Sequence, residues 1–139
     1  MIISFLSLGT NSGDRISNLY EAIKCIDLSI ENSVFLKSPI YESKAMYNKK
    51  LDNFYNCVIK ISTSLSPYSL LDFLKGIETA LGRNLNDPRY SARKIDIDIL
   101  SYGDQIVDSE NLTIPHPYIS ERKFVLKPWA DIDNDYIIV

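Results

Sequence analysis

At 139 residues, 45% hydrophobic and 24% charged, the chain has the size and composition of one soluble globular domain spanning residues 1–139. Its net charge of −3 argues against a general nucleic-acid binder. The apolar stretch Met1–Leu8 is too short to span a membrane and follows no basic segment, so the expectation is a cytoplasmic monomer without membrane partners.

Ile2–Leu8 reads as a central strand buried on both faces. The turn Gly9–Arg15 follows. It lacks the lysine of a phosphate loop and the Gly-x-Gly-x-x-Gly spacing of a dinucleotide fold, so it is read as a structural helix entry. Ile16, Leu19, Tyr20, Ile23, Ile26 and Ile30 recur at helical spacing. Val34, Leu36 and Ile40 mark a second strand, and Pro39 puts it near an edge. Glu42–Asn53 is a polar loop of lid length.

Phe54–Thr63 alternates as a strand, with Tyr55, Cys57, Ile59 and Ile61 on one face and Phe54, Asn56 and Val58 on the other. Asn56 is then a satisfied buried amide or a ligand contact. Ser66 caps a second helix with Pro67 in its first turn, Leu70, Leu71, Leu74, Ile77 and Leu81 as its apolar stripe, and Gly82 as its stop. Glu78 borders the buried stripe and requires a partner, for which the downstream arginines are candidates. Neither Cys25 nor Cys57 has metal-ligand spacing, and both read as buried thiols.

A second long loop, residues 83–94, carries Arg83, Arg89, Tyr90, Arg93 and Lys94 into the stretch Arg93–Leu100. Apolar and acidic residues alternate strictly there, so Ile95, Ile97 and Ile99 face a core while Asp96 and Asp98 share the opposite face. Two carboxylates at that spacing lie roughly 6–7 Å apart and repel by about 2–3 kcal/mol at an effective dielectric of about 20. A divalent cation reverses that sign. Arginine forks match phosphate oxygens, and Mg²⁺ takes carboxylates, water and phosphate, so the pattern points to a metal–polyphosphate substrate rather than to a surface salt-bridge network.

Farther on, Tyr102–Gln105 is a turn, Leu112–Pro117 is extended, and Ser120–Leu126 is a short helix or turn. His116, between two prolines, is either a phosphate or proton-transfer group or a packing residue. Asp131–Asp135 is excluded as an EF-hand because Tyr136 stands where the loop glycine belongs. The order strand, helix, strand, strand, helix, strand is the α+β, ferredoxin-like βαββαβ plan: an antiparallel sheet with both helices on one face and the long loops over the other.

The segments Gly9–Arg15, Gly82–Arg83, Arg89–Leu100, Ile114–Pro117 and Arg122–Leu126, in this order, resemble the 6-hydroxymethyl-7,8-dihydropterin pyrophosphokinase family. The resemblance implies transfer of pyrophosphate from ATP to the pterin hydroxymethyl group, with release of AMP, in folate biosynthesis. It implies two Mg²⁺ ions held by Asp96 and Asp98, with Arg83 and Arg93 as phosphate clamps. Implied ATP contacts are Glu78, Arg89, Ile99, Thr113, His116 and Arg122. Implied pterin contacts are Ser43, Met46, Phe54, Asn56, Tyr90 and Phe124, with the pterin stacked between the two phenylalanines. The substrates expected on this basis are small molecules. The chain departs from the family pattern at Leu85, at Ser91-Ala92, and at Tyr90, where relatives often carry tryptophan.

Overall fold

The computed structural model describes residues 1–43, 53–82, 94–117 and 123–132, with side chains of the last helix from Lys127 onward. Its main sheet is antiparallel. The central strand β1 (Ile2–Thr10) lies between β4 (Phe54–Thr63) and β5 (Asp96–Tyr102). Strand β2 (Asn32–Lys37) pairs with β4 on its far side, and β3 (Tyr41–Ser43) extends that pairing along β4. The path across the sheet is β2-β4-β1-β5.

Helix α1 (Arg15–Leu28) is started by Asp14, whose carboxylate accepts from the Ser17 N–H. Helix α2 (Pro67–Ala80) is started by Ser66, whose hydroxyl accepts from the Ser69 N–H. It stops where Gly82 takes φ +111°, a backbone region that side-chain-bearing residues avoid. Both helices cover one face of the sheet. Leu6 and Leu8 of β1, Cys57, Ile59 and Ile61 of β4, and Ile97 and Ile99 of β5 pack there against Leu19, Ile23, Ile26, Leu70, Leu74 and Ile77.

The opposite face has a helix of its own, which the sequence reading did not foresee. Helix α3 (Lys123–Ile132) extends well past the short segment expected at Ser120–Leu126 and sets Trp129 against Phe5, Val58 and Leu100. The Phe5 and Trp129 rings are 5.3 Å apart. This face is therefore partly roofed by helix rather than left to loops alone. Two strands of a small ribbon, β6 (Val107–Asp108) and β7 (Thr113–Ile114), follow the turn at Gly103. Among the described residues, no helix is long and apolar enough to cross a membrane.

Three local readings are corrected. Helix α1 ends before Ile30, which is 94% exposed, and Ile16 and Tyr20 are exposed as well. Cys25 is exposed and only Cys57 is buried. Glu42 and Ser43 belong to strand β3 rather than to the loop.

Candidate active site

The register of β4, β1 and β5 brings the predicted residues together on the α3 face. Gly9 lies opposite Asn56 on one side and Asp96 on the other, and Ser7 lies between Val58 and Asp98. Opposed residues on paired strands share a face, so Asn56, Gly9 and Asp96 form one cross-strand row. That row spans about 10 Å, twice the inter-strand spacing. Asp96 and Asp98 stand two residues apart on β5 and are both half-buried, while the intervening Ile97 points into the α1–α2 core.

At the Asn56 end, three expected pterin contacts meet. The Asn56 Nδ2 donates to the Ser43 hydroxyl at 2.8 Å and, at 3.4 Å, to the Tyr41 carbonyl. This leaves the amide buried with its orientation fixed by β3. A Cβ on Gly9 would lie 3.0 Å from the Asn56 Oδ1 and 3.5 Å from the Phe54 ring. The strand needs glycine here because the neighbouring side chains close over it. Gly9, read as the first residue of the helix-entry turn, instead lies within β1 and floors the row. The available signal was a glycine directly after the apolar run Ile2–Leu8.

At the other end, the His116 Nε2 lies 4.0 Å from the Asp98 Oδ2, with side chains 16% and 34% exposed. The His116 backbone N–H donates to the Leu100 carbonyl at 3.1 Å, which holds the Ile114–Pro117 segment against β5. Glu78 is buried, and its Oε2 accepts from the Ile97 N–H at 2.8 Å. It thereby ties α2 to the strand between the two aspartates. The Ile99 side chain is in the core, so only its backbone is available to a ligand, and Thr113 is half-buried in β7.

Helix α3 is joined to β3 by the Tyr41 hydroxyl, which donates to the Asp131 carboxylate. That hydrogen bond holds the phenol pKa above its ordinary value, with smaller contributions from burial and the carboxylate charge. Burial pushes the Cys57 thiol up to about 12, which leaves it protonated and unsuited to act as a nucleophile.

Met46, Arg83, Arg89, Tyr90, Arg93 and Arg122 lie outside the described residues, and Phe124 is described only as a position in the first turn of α3. Among the described residues no cluster of three or more His, Cys, Asp or Glu has metal-binding geometry. The Asp96–Asp98 pair nevertheless suits Mg²⁺, which commonly takes one or two carboxylates and completes its shell with water and substrate phosphate.

Comparison with known proteins identifies the family. Residues 5–134 match the family described as 7,8-dihydro-6-hydroxymethylpterin-pyrophosphokinase. The chain is 36% identical to the 2-amino-4-hydroxy-6-hydroxymethyldihydropteridine pyrophosphokinase of Haemophilus influenzae, with 99% of this chain and 86% of that protein aligned. It is 41% identical to the folic acid synthesis protein FOL1 of Dictyostelium discoideum over 97% of this chain, yet it spans only 20% of that protein's length. A Plasmodium falciparum HPPK-DHPS crystal structure with pteroate superposes with a TM-score of 0.76 at 18% identity, over 98% of this chain and 39% of that one. That likeness bears on fold alone. On the match of nearly its whole length, the chain belongs to the 7,8-dihydro-6-hydroxymethylpterin-pyrophosphokinase family.

Proposed function

We propose that this chain transfers pyrophosphate from ATP to the hydroxymethyl group of 6-hydroxymethyl-7,8-dihydropterin and releases AMP. The observation that carries the reading is the single cross-strand row with an amide-and-aromatic pocket at one end and a carboxylate pair at the other. The intervening span of about 10 Å suits a bicyclic acceptor reaching toward a phosphate chain. In chemical terms, the hydroxymethyl oxygen attacks the β-phosphorus of ATP and gives up its proton to solvent, the bond from the β-phosphorus to the oxygen shared with the α-phosphorus breaks, and AMP departs with that oxygen.

The division of labour follows from the residues. Asn56 hydrogen-bonds the pterin edge, and its amide is already oriented by Ser43. Phe54 and Phe124 stack on the ring faces, and Met46 and Tyr90 complete the pocket. Asp96 and Asp98 hold magnesium, two ions in this reading. When bound, the metal neutralises triphosphate charge and makes the β-phosphorus a better electrophile. His116, set beside Asp98, donates to phosphate oxygens together with Arg89 and Arg122. Arg83 and Arg93 supply bidentate forks to the transferring group. Glu78 contributes through its hydrogen bond to the Asp96–Asp98 strand, and Thr113 and the Ile99 backbone receive the adenine. Positioning and charge stabilisation therefore dominate over covalent chemistry. The ferredoxin-like description of the fold belongs to the same proposal. It is supported by the sheet path β2-β4-β1-β5 and by α1 and α2 sharing one face.

Calorimetric titration with the dihydropterin, in Mg²⁺ and a non-hydrolysable ATP analogue, tests the pocket. Saturable one-to-one binding is expected. Asn56→Ala should weaken it at least about tenfold, as expected for a lost buried hydrogen-bonding group. Binding of the nucleotide analogue with no pterin binding would favour a non-catalytic nucleotide module instead.

A further inference from the structure

Arg15 is the first residue of α1, where a cation meets the positive end of the helix dipole. Its position therefore does nothing for the helix. Its guanidinium instead lies 4.1 Å from the centroid of the Tyr55 ring, within cation–π range, and its Nη1 donates to the Asn53 carbonyl at 2.8 Å. Asn53 immediately precedes Phe54, the first residue of β4. Tyr55 packs on the α1–α2 side of the sheet, whereas Phe54 and Asn56 face the opposite side. Arg15 thus grips the start of β4 from behind the pocket.

The platform from which it does so is rigid. Asp14 caps α1, and the Asn18 Nδ2 donates both to the Thr10 hydroxyl at 3.1 Å and to the Ser12 carbonyl at 2.7 Å. The turn after β1 is therefore fastened to the helix, and Thr10 is the register partner of Tyr55. One guanidinium consequently joins a fixed turn to the backbone that delivers Phe54.

We propose that Arg15 is a positioning residue for the pterin pocket, setting the backbone at Asn53 and, through it, the Phe54 ring. This rests on the pterin reading above. It assigns Arg15 no contact with either substrate. Lysine cannot reproduce it: an ammonium retains the charge but loses the planar fork that serves ring and carbonyl together.

The test is calorimetric binding to the full chain of dihydropterin in saturating Mg²⁺ and a non-hydrolysable ATP analogue and, separately, of that Mg–ATP analogue alone. Arg15→Ala is expected to weaken pterin binding about tenfold, since small misplacements of positioning groups carry effects of that order or more. Nucleotide affinity should stay within about twofold, and Arg15→Lys should fall between wild type and alanine. In a Phe54→Ala background, Arg15→Ala should add less than about twofold, because residues acting through one another are non-additive. Unchanged pterin affinity in Arg15→Ala, an equal loss for both ligands, or full additivity with Phe54→Ala would overturn the inference. If Arg15→Ala does not fold, Arg15→Lys and Tyr55→Leu carry the same comparison. A wild-type chain that binds no pterin would instead remove the pterin reading on which the inference depends.

Discussion

The carboxylates of Asp96 and Asp98 are held on one face by a strand whose other face is sealed into the core at Ile97 and Ile99. Neither carboxylate can leave that face without turning an isoleucine out of the core. The strand thereby fixes where both carboxylates stand, and in the proposed function that face takes the metal. Asp98→Ala should leave the melting temperature within a few degrees of wild type, as is usual for partly exposed surface positions, while turnover falls on the order of 10³-fold. Circular dichroism melts and steady-state rates check both halves. A variant that unfolds would give the side chain a structural role. Residues at this scale were legible where chemistry and periodicity coincide, as in the Asp-x-Asp alternation and the two-faced pattern around Asn56. Gly9 was harder to read. Its role depends on which side chains lie across two strand pairings, and that register is not written locally.

Among the elements, β4 was the most legible: its alternation runs from Phe54 to Thr63 and the strand has those bounds. Helix α1 was overextended because Ile30 fits the helical spacing, yet a spacing cannot say where backbone hydrogen bonding stops. Helix α3 was read too short, as a helix or turn over Ser120–Leu126. Pro128 lies inside it and removes one backbone donor, so a run that continues to Ile132 reads in sequence as one that ends early. What holds α3 is tertiary: Trp129 buried on Phe5, Val58 and Leu100, and the Tyr41–Asp131 hydrogen bond to β3. Trp129→Ala should cost about 3–5 kcal/mol, as for other buried aromatic truncations. For a domain of this size that lowers the melting temperature by roughly 10–15 °C. Scanning calorimetry reads the shift. A change under about 2 °C would mean that α3 packing contributes little to the fold.

At the scale of the whole molecule, the sheet divides the work. Helices α1 and α2 bury one face and supply most of the core, while the other face keeps a smaller cluster under α3 and leaves the Asn56–Gly9–Asp96 row beside it. Element order alone predicted an antiparallel sheet with two helices on one face, and the sheet has that form. The arginines expected to clamp phosphate, and the loops that carry them, fall outside the described residues, so their roles rest on the family pattern. In the proposed reaction pyrophosphate is transferred as a unit to the pterin. Incubating the chain with ATP, Mg²⁺ and 6-hydroxymethyl-7,8-dihydropterin and resolving the nucleotides chromatographically tests it most directly. AMP should form in step with a pyrophosphorylated pterin, and only when the pterin is present. ADP as the product, or no pterin-dependent turnover, would contradict it.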